Sequence, residues 1–308
     1  LKKLILLIAF ISIILSCKNQ ENKEVVETMP EKIQNPLSLA QWSYHKALFA
    51  NEMDNFGFIR KAKELGFDGV EYVNAFFMDK AQNTAFLDSL KQVASDNNIK
   101  SLLIMVDGEG YLGDADIKKR DSTVEKHKKW VDAAAYLGCH SIRVNAFGEG
   151  SAEEVSAAVV DGLTKLSTYA KTKNINVVVE NHGGFSSNGA WLADVMAKVN
   201  LDNCGTLPDF GNFCVRREKG DMWESPCAEE YDRYKGVEEM MPYAKALSAK
   251  SHDFDEKGEE TKTDYGKMIA IAHAAGYKGH IGVEYEGSEK SEEEGVKLTR
   301  DLILAKLK

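Results

Sequence analysis

Leu65-Gly66-Phe67-Asp68-Gly69-Val70-Glu71 decides how this chain folds. In a few residues it reads as the end of a helix, a glycine where the chain must turn through a left-handed residue, and the start of a strand. The same unit recurs at Leu137-Gly138-Cys139-His140-Ser141-Ile142-Arg143 and at Ala275-Gly276-Tyr277-Lys278-Gly279-His280-Ile281. A helix that repeatedly hands over to a strand within a few positions is the building unit of a parallel α/β sheet.

Working outward from these units, strand and helix alternate eight times. The predicted strands lie near Leu37 to Gln41, Gly69 to Val73, Ser101 to Val106, Ser141 to Asn145, Asn176 to Glu180, Gly205 to Asp209, Ala246 to Lys250 and His280 to Glu284. Between them the period changes to that of a helix: Val124, Val131, Ala134 and Ala135 share one face, as do Val155, Val159, Leu163, Leu166 and Ala170. Ser151-Ala152-Glu153-Glu154 has the form of a capping box at the start of the second stretch. Eight units predict an α/β fold closed as a (β/α)8 TIM barrel. The alternative is an open doubly wound sheet, but no Gly-x-Gly-x-x-Gly follows the first strand, so its dinucleotide-binding form lacks the main signal.

Four of the apolar runs end in a carboxylate: Gly69-Val70-Glu71, Val177-Val178-Val179-Glu180, Gly205-Thr206-Leu207-Pro208-Asp209 and Ile281-Gly282-Val283-Glu284. In a barrel all strand carboxyl ends open on one face, so acids distant in sequence can converge around one metal or substrate. Lys250 ends a strand predicted to be buried, and Arg143 and Asn145 end another; each can hold a developing oxyanion or form an ion pair inside the barrel. Trp42, Tyr44, His45, Phe76, Phe77, Tyr111, Phe147, Trp191 and Phe213 follow or flank strand ends, where aromatic rings suit stacking on sugars. The long connection after Asp209 carries Trp223, Tyr231, Tyr234 and two cysteines and reads as a lid or binding loop.

Glu180 in Val179-Glu180-Asn181-His182, Asp209 in Pro208-Asp209-Phe210-Gly211-Asn212, Lys250 in Ser248-Ala249-Lys250 and Glu284 in Gly282-Val283-Glu284-Tyr285 resemble the xylose isomerase-like barrels of the sugar phosphate isomerase/epimerase family. The resemblance runs from the first strand to the last helix. It implies one divalent metal held by Glu180, Asp209 and Glu284, with Glu180 and Glu284 moving the substrate proton and Lys250 aiding them. By their positions at or after predicted strand ends, Trp42, His45, Glu71, Arg143, Asn145, His182 and Asn212 are the substrate-binding candidates. The chain departs from the family at two positions: Ser248 stands where the strand-seven motif has histidine, and Asn212 where the strand-six motif does. His252, of the same strand parity as Lys250 if the strand continues, is the nearest replacement ligand, and His182 stands in the same relation to Glu180; either could be ligand, acid/base or a substrate hydrogen-bonding group. Three carboxylates and at most one imidazole favour Mn²⁺ or Mg²⁺. Removal of a proton next to a carbonyl needs a base within reach and a charge that stabilises the enediolate, and this set supplies both.

The N-terminal residues predict the setting. Lys2-Lys3 followed by the apolar run Leu4 to Leu15 and Ser16-Cys17 resembles a bacterial lipoprotein signal, with Cys17 as the lipidated residue. The reading is a signal over residues 1–16, a polar tether over 17–35 and a catalytic barrel over 36–308, the whole exported and held to a membrane by its lipid. The formal charge is −9, and loss of Lys2 and Lys3 makes it more negative; such a surface repels nucleic acid. Cys214 and Cys227 could pair outside the cytoplasm, whereas Cys139 and Cys204 look like small core residues. With seven histidines in an acidic chain, the histidine-rich trinuclear zinc site of the related apurinic-site endonucleases is disfavoured. The expected function is a metal-dependent isomerase or epimerase acting on a small, unphosphorylated carbohydrate. A lyase acting on a 3-keto-glycoside by β-elimination and a glycan-binding lipoprotein without catalysis are the alternatives.

Overall fold

In the computed structural model, residues 34–308 are described. The expected export signal, Cys17 and all but the last two residues of the tether lie outside them. The order of elements is β1 (Leu37–Ala40), α1 (His45–Phe49), α2 (Asn55–Glu64), β2 (Gly69–Val73), α3 (Thr84–Asp96), β3 (Lys100–Met105), α4 (Ile117–Leu137), β4 (Ser141–Val144), α5 (Ala152–Lys171), β5 (Asn176–Glu180), α6 (Gly189–Val199) and β6 (Cys204–Leu207). It continues with β7 (Cys214–Arg217), β8 (Cys227–Glu230), α7 (Arg233–Met240), β9 (Ser248–Ser251), α8 (Tyr265–Ala274), β10 (Ile281–Tyr285) and α9 (Glu292–Lys306).

Eight strands form one parallel sheet in the order β6-β5-β4-β3-β2-β1-β10-β9. Its two ends meet: parallel bridges join Thr206 to Ala244 and Asp209 to Ser248, and the Phe210 N–H donates to the Ser248 carbonyl at 3.0 Å. The expected TIM barrel is therefore present, and each predicted strand matches an observed one within a residue or two. Helix α4 begins earlier than its apolar stripe because Asp116 caps it, accepting from the Lys118 and Lys119 N–H groups, and its first turn is exposed. The capping box at Ser151 and Glu154 is present.

The three repeat glycines do what the sequence requires. Gly66, Gly138 and Gly276 have φ of 78°, 79° and 77°. Each lets the next N–H reach back to a helix carbonyl: Phe67 to Ala62, Cys139 to Ala134 and Tyr277 to Ala272, at 2.9 to 3.0 Å.

Alternation along the strands sorts the side chains into two layers. Leu39, Val70, Ile104, Ile142, Val177, Val179 and Val283 face outward and pack with the helices in the main core. The inward set begins with Ala40, Val73, Leu103, Met105, Val178 and Leu207. By the same parity Glu71, Arg143, Glu180, Asp209, Ser248, Lys250 and Glu284 enter the barrel, all of them buried. The apolar plug thus supports a polar layer at the carboxyl ends of the strands.

The connection from β6 to α7 folds β7 and β8 into an antiparallel hairpin, and a Cys214–Cys227 disulfide joins the two strands. Cys139 and Cys204 are buried thiols. No described helix is long and apolar enough to cross a membrane.

Candidate functional site

Three strand ends bring one carboxylate each to a common point. Glu180 from β5, Asp209 two residues beyond β6 and Glu284 from β10 offer oxygens that all lie within 4.8 Å of one another. Ser248 from β9 stands between two of them, its Oγ 2.5 Å from Asp209 Oδ2 and 3.2 Å from Glu284 Oε2. The backbone N–H groups of Gly211 and Asn212 donate to Asp209 Oδ1 at 2.9 Å. Asn212 Nδ2 donates to Glu180 Oε1 at 3.1 Å.

Two cations are set into this layer. Arg143 places Nε 2.9 Å from Glu180 Oε2 and a terminal nitrogen 2.7 Å from Asp107 Oδ1. The first contact misses hydrogen-bond alignment, so Glu180 Oε2 is a buried oxygen without a donor. Lys250 Nζ lies 3.6 Å from Glu284 and 3.3 Å from Glu286. Asp107 also accepts from Asn145 Nδ2 at 2.6 Å, and Asn145 Oδ1 meets His182 Nδ1 at 2.8 Å.

Burial governs the protonation of these groups. It pushes the Asp209 carboxyl up to about 7 despite Lys250 nearby. It pushes Glu284 well above the carboxylate range, with Glu180 and Glu286 adding to the effect and Lys250 opposing it. For Glu286 burial acts in the same sense, but Lys250 and His252 outweigh it and hold the group below its ordinary value. Asp107 is likewise raised by burial and overridden by Arg143, which holds it at about 2. Burial opposes the Lys250 charge, yet Glu284, Glu286 and Asp209 keep the amine well above its ordinary value.

This donor set fits a hard divalent cation. The five carboxylates Asp107, Glu180, Asp209, Glu284 and Glu286 face two cations, Arg143 and Lys250. That imbalance, the unsatisfied Glu180 oxygen and an all-oxygen first layer suit Mg²⁺ or Mn²⁺ better than zinc.

A cavity of about 1280 Å³ opens above this layer. Trp42, Arg143, Asn145, His182, Asn212, Lys250, His252, Glu284 and Glu286 line it. Glu180 and Asp209 are buried and are not among its lining residues; Arg143 and Asn212, which are, contact Glu180.

Three sequence expectations need correction. His252 does not join the clustered carboxylates: one residue beyond the end of β9 it faces the cavity on the same side as Lys250, but near Glu286. His45 does not reach the cavity. Its ring stacks on Trp42 with centroids 5.0 Å apart, and its Nδ1 contacts the Trp42 carbonyl at 2.8 Å and Glu292 at 3.8 Å. Glu71 is sealed beneath the site, accepting from Ser38 Oγ at 2.6 Å. Gly282 makes room for it, since a Cβ there would come within 2.6 Å of Glu71 Oε1.

Asp107 and Glu286 escaped the sequence reading. Asp107 follows the apolar run Leu102 to Val106 and so carries the same strand-end signal as the four acids that were noticed. Glu286 shares the strand parity of Glu284.

The sequence profile of the xylose isomerase-like TIM barrel matches residues 59–303. Among solved structures, the chain is similar to the 3-keto-D-glucoside 4-epimerase of E. coli in its apo form, with TM-score 0.66 and 15% identity over 87% of this chain and 99% of that one. It is similar to a sugar phosphate isomerase/epimerase from Parabacteroides distasonis, with TM-score 0.66 and 14% identity over 93% of this chain and 99% of the other. A third is a xylose isomerase-like TIM barrel protein from Mycobacterium smegmatis in complex with magnesium, with TM-score 0.62 and 16% identity over 91% of this chain and 100% of that one. Comparison with curated protein sequences found no match.

Proposed function

The chain belongs to the xylose isomerase-like TIM barrel family, and from that premise we propose that it abstracts a proton next to a carbonyl on an unphosphorylated carbohydrate, as an isomerase or epimerase. The observation that carries this reading is the convergence of Glu180, Asp209 and Glu284 within 4.8 Å beside Lys250. The 3-keto-D-glucoside epimerase among the similar structures, and the magnesium in another, support it.

Mn²⁺ or Mg²⁺ held by the three carboxylates would supply positive charge beside the substrate carbonyl. The remaining work falls to the chain itself. Glu284 lines the cavity, so its carboxylate is the group that meets the substrate proton, while Glu180, whose Oε2 lies 2.9 Å from Arg143 Nε without an aligned donor, is the second proton carrier. Lys250 directs its ammonium to oxygen that gains charge as the proton leaves. Arg143, Asn145 and His182 form a fixed hydrogen-bonding wall for hydroxyl groups. Both cations of this layer are already matched by carboxylates, which leaves no anion cradle at the reacting end and favours a neutral sugar over a phosphate ester.

Similarity to a 3-keto-glucoside enzyme favours one second reading. If the substrate carries a leaving group β to the carbanion, the same abstraction ends in elimination and the enzyme is a lyase. Incorporation of solvent deuterium into neutral sugars and 3-keto-glycosides by the Mn²⁺-loaded protein tests the shared first step. Exchange without loss of the aglycone identifies an epimerase or isomerase, and release of the aglycone a lyase. If no panel member exchanges although glycans bind, the protein is a binding lipoprotein.

The setting belongs to the same proposal: an exported protein anchored through lipid on Cys17. Cys17→Ala is expected to release the protein from membranes or stop its maturation. Equal membrane retention in fractionated cells would exclude the anchor.

A further inference from the structure

Among the described residues, seven large hydrophobic side chains stand exposed, and three of them, Phe49, Tyr111 and Trp223, line the one cavity above the carboxylates. Trp223 is 48% exposed and Tyr111 42%. They are not isolated: Phe147 lies edge-on to both, at 5.9 Å from Tyr111 and 6.2 Å from Trp223, and Trp223 sits 4.7 Å from the His182 ring. One aromatic wall therefore runs from the polar floor to the mouth.

The wall is built in advance. Trp223 rides on a turn of the disulfide-linked hairpin in which Asp221 Oδ1 accepts from the Glu224 and Ser225 N–H groups at 2.6 and 3.0 Å. Arg217 ties the same turn by donating to the Met222 and Ser225 carbonyls at 2.9 and 2.6 Å. Gly183 permits the close approach, since a Cβ there would lie 3.3 Å from the indole. A braced tryptophan that stays half exposed has apolar area ready for a ligand at little ordering cost.

Size gives the second line of argument. The cavity, at about 1280 Å³, exceeds the roughly 300–1,000 Å³ that ordinarily encloses a drug-sized ligand. One pyranose ring is smaller than such a ligand and, seated against Glu284 and Lys250, fills only part of the cavity.

Building on the proton-abstraction reading, we infer that the substrate is a glycoside of at least two sugar rings: one ring meets Glu284 and Lys250, and the next stacks on Trp223 and Tyr111. Arg217, Glu230 and Arg233 line the same cavity on the hairpin side and provide hydrogen-bond partners for hydroxyls of the second ring.

The test is calorimetric binding of cellobiose, maltose, lactose and mannobiose, each against its constituent monosaccharides, by the Mn²⁺-loaded protein. At least one disaccharide is expected to bind about tenfold tighter than its parts, with Trp223→Ala and Tyr111→Ala each removing most of that ratio and Trp223→Phe retaining it. Both side chains are exposed, so circular dichroism is expected to be unchanged in the variants. Disaccharides that bind no better than monosaccharides, or not at all, or a ratio untouched by both alanine variants, would overturn the inference. So would tight binding confined to p-nitrophenyl glucoside, which would assign the wall to an aromatic aglycone. Deuterium exchange on monosaccharides keeps the two readings separate. Exchange without a disaccharide preference sinks only the two-ring substrate, whereas a Trp223-dependent preference without exchange sinks only the enzyme.

Discussion

Glu284 and Glu286 lie two residues apart and share Lys250, yet their surroundings drive them in opposite directions, the first up and the second down. Glu284 is the one proposed to move the proton. Glu284→Gln keeps the side chain's size and much of its hydrogen bonding but removes the base, so turnover is expected to fall about 10²- to 10⁴-fold with sugar binding largely kept. Turnover within tenfold of wild type would assign the base elsewhere. Glu71 makes the opposite case, a carboxyl whose effect is on stability. Burial lifts it from 4.5 to about 7, partly offset by its hydrogen bond from Ser38. The folded state therefore binds a proton that the unfolded chain has lost, so this group's contribution falls as pH rises from about 4.5 to 7 and stays low above that. Glu71→Gln is expected to stabilise the metal-free protein at pH 8 by up to about 3 kcal/mol and to give no gain at pH 4. Urea unfolding at the two pH values checks this, and an equal effect at both would show that folding does not raise the Glu71 carboxyl. At this scale the sequence was legible where a residue sits inside a strand or at its exit: Glu180, Asp209, Glu284 and Lys250 follow from parity. His252 keeps the side of Lys250 and lines the cavity, but one residue beyond β9 it stands near Glu286 rather than among the three carboxylates, and His45, at the start of α1, is held by Trp42 and Glu292.

Between helix and strand the chain uses one device in two chemical forms. Gly66, Gly138 and Gly276 turn through positive φ, and so do Asn98 and Asn174, at 53° and 59°. Ile99 and Ile175 reach back to Ala94 and Ala170 just as Phe67 reaches back to Ala62. The glycine repeat was therefore visible and its asparagine copies were not, although asparagine is the other residue that tolerates this region. A Cβ at Gly138 would meet nothing within 4 Å, so Gly138→Ala isolates the backbone cost. It is expected to lower stability by about 1–2 kcal/mol, while Asn98→Gly should be neutral or slightly stabilising. Thermal unfolding of the two variants decides this: a loss at Gly138 far above that range would mean that the turn also carries packing. The hairpin of β7 and β8 was legible only as a long connection with two cysteines. Its strands are largely exposed, so they lack the apolar alternation that marks a strand in sequence.

At the scale of the whole barrel, closing the sheet brings Glu180, Asp209 and Glu284 together from strand ends that the unfolded chain keeps far apart. Like charges are thereby desolvated side by side, and the polar layer carries more carboxylates than cations. A ligand of opposite charge that binds only the folded state must stabilise it, by about 2.7 kcal/mol at a free concentration one hundred times its dissociation constant. Mn²⁺ is therefore expected to raise the melting temperature by several degrees. The shift should grow as pH rises through about 7, because below that Asp209 holds a proton that the cation must displace. Asp209→Asn removes one of the three donors and part of the repulsion together. Without metal it should melt no lower than wild type at pH 8, yet respond little to Mn²⁺. Because melting is read without any substrate, this outcome tests the cation site apart from the reaction. An equal Mn²⁺ shift in both proteins, or a wild-type shift indifferent to pH, would place the ion elsewhere and leave the three carboxylates as an acid cluster that the fold tolerates by keeping Asp209 and Glu284 protonated.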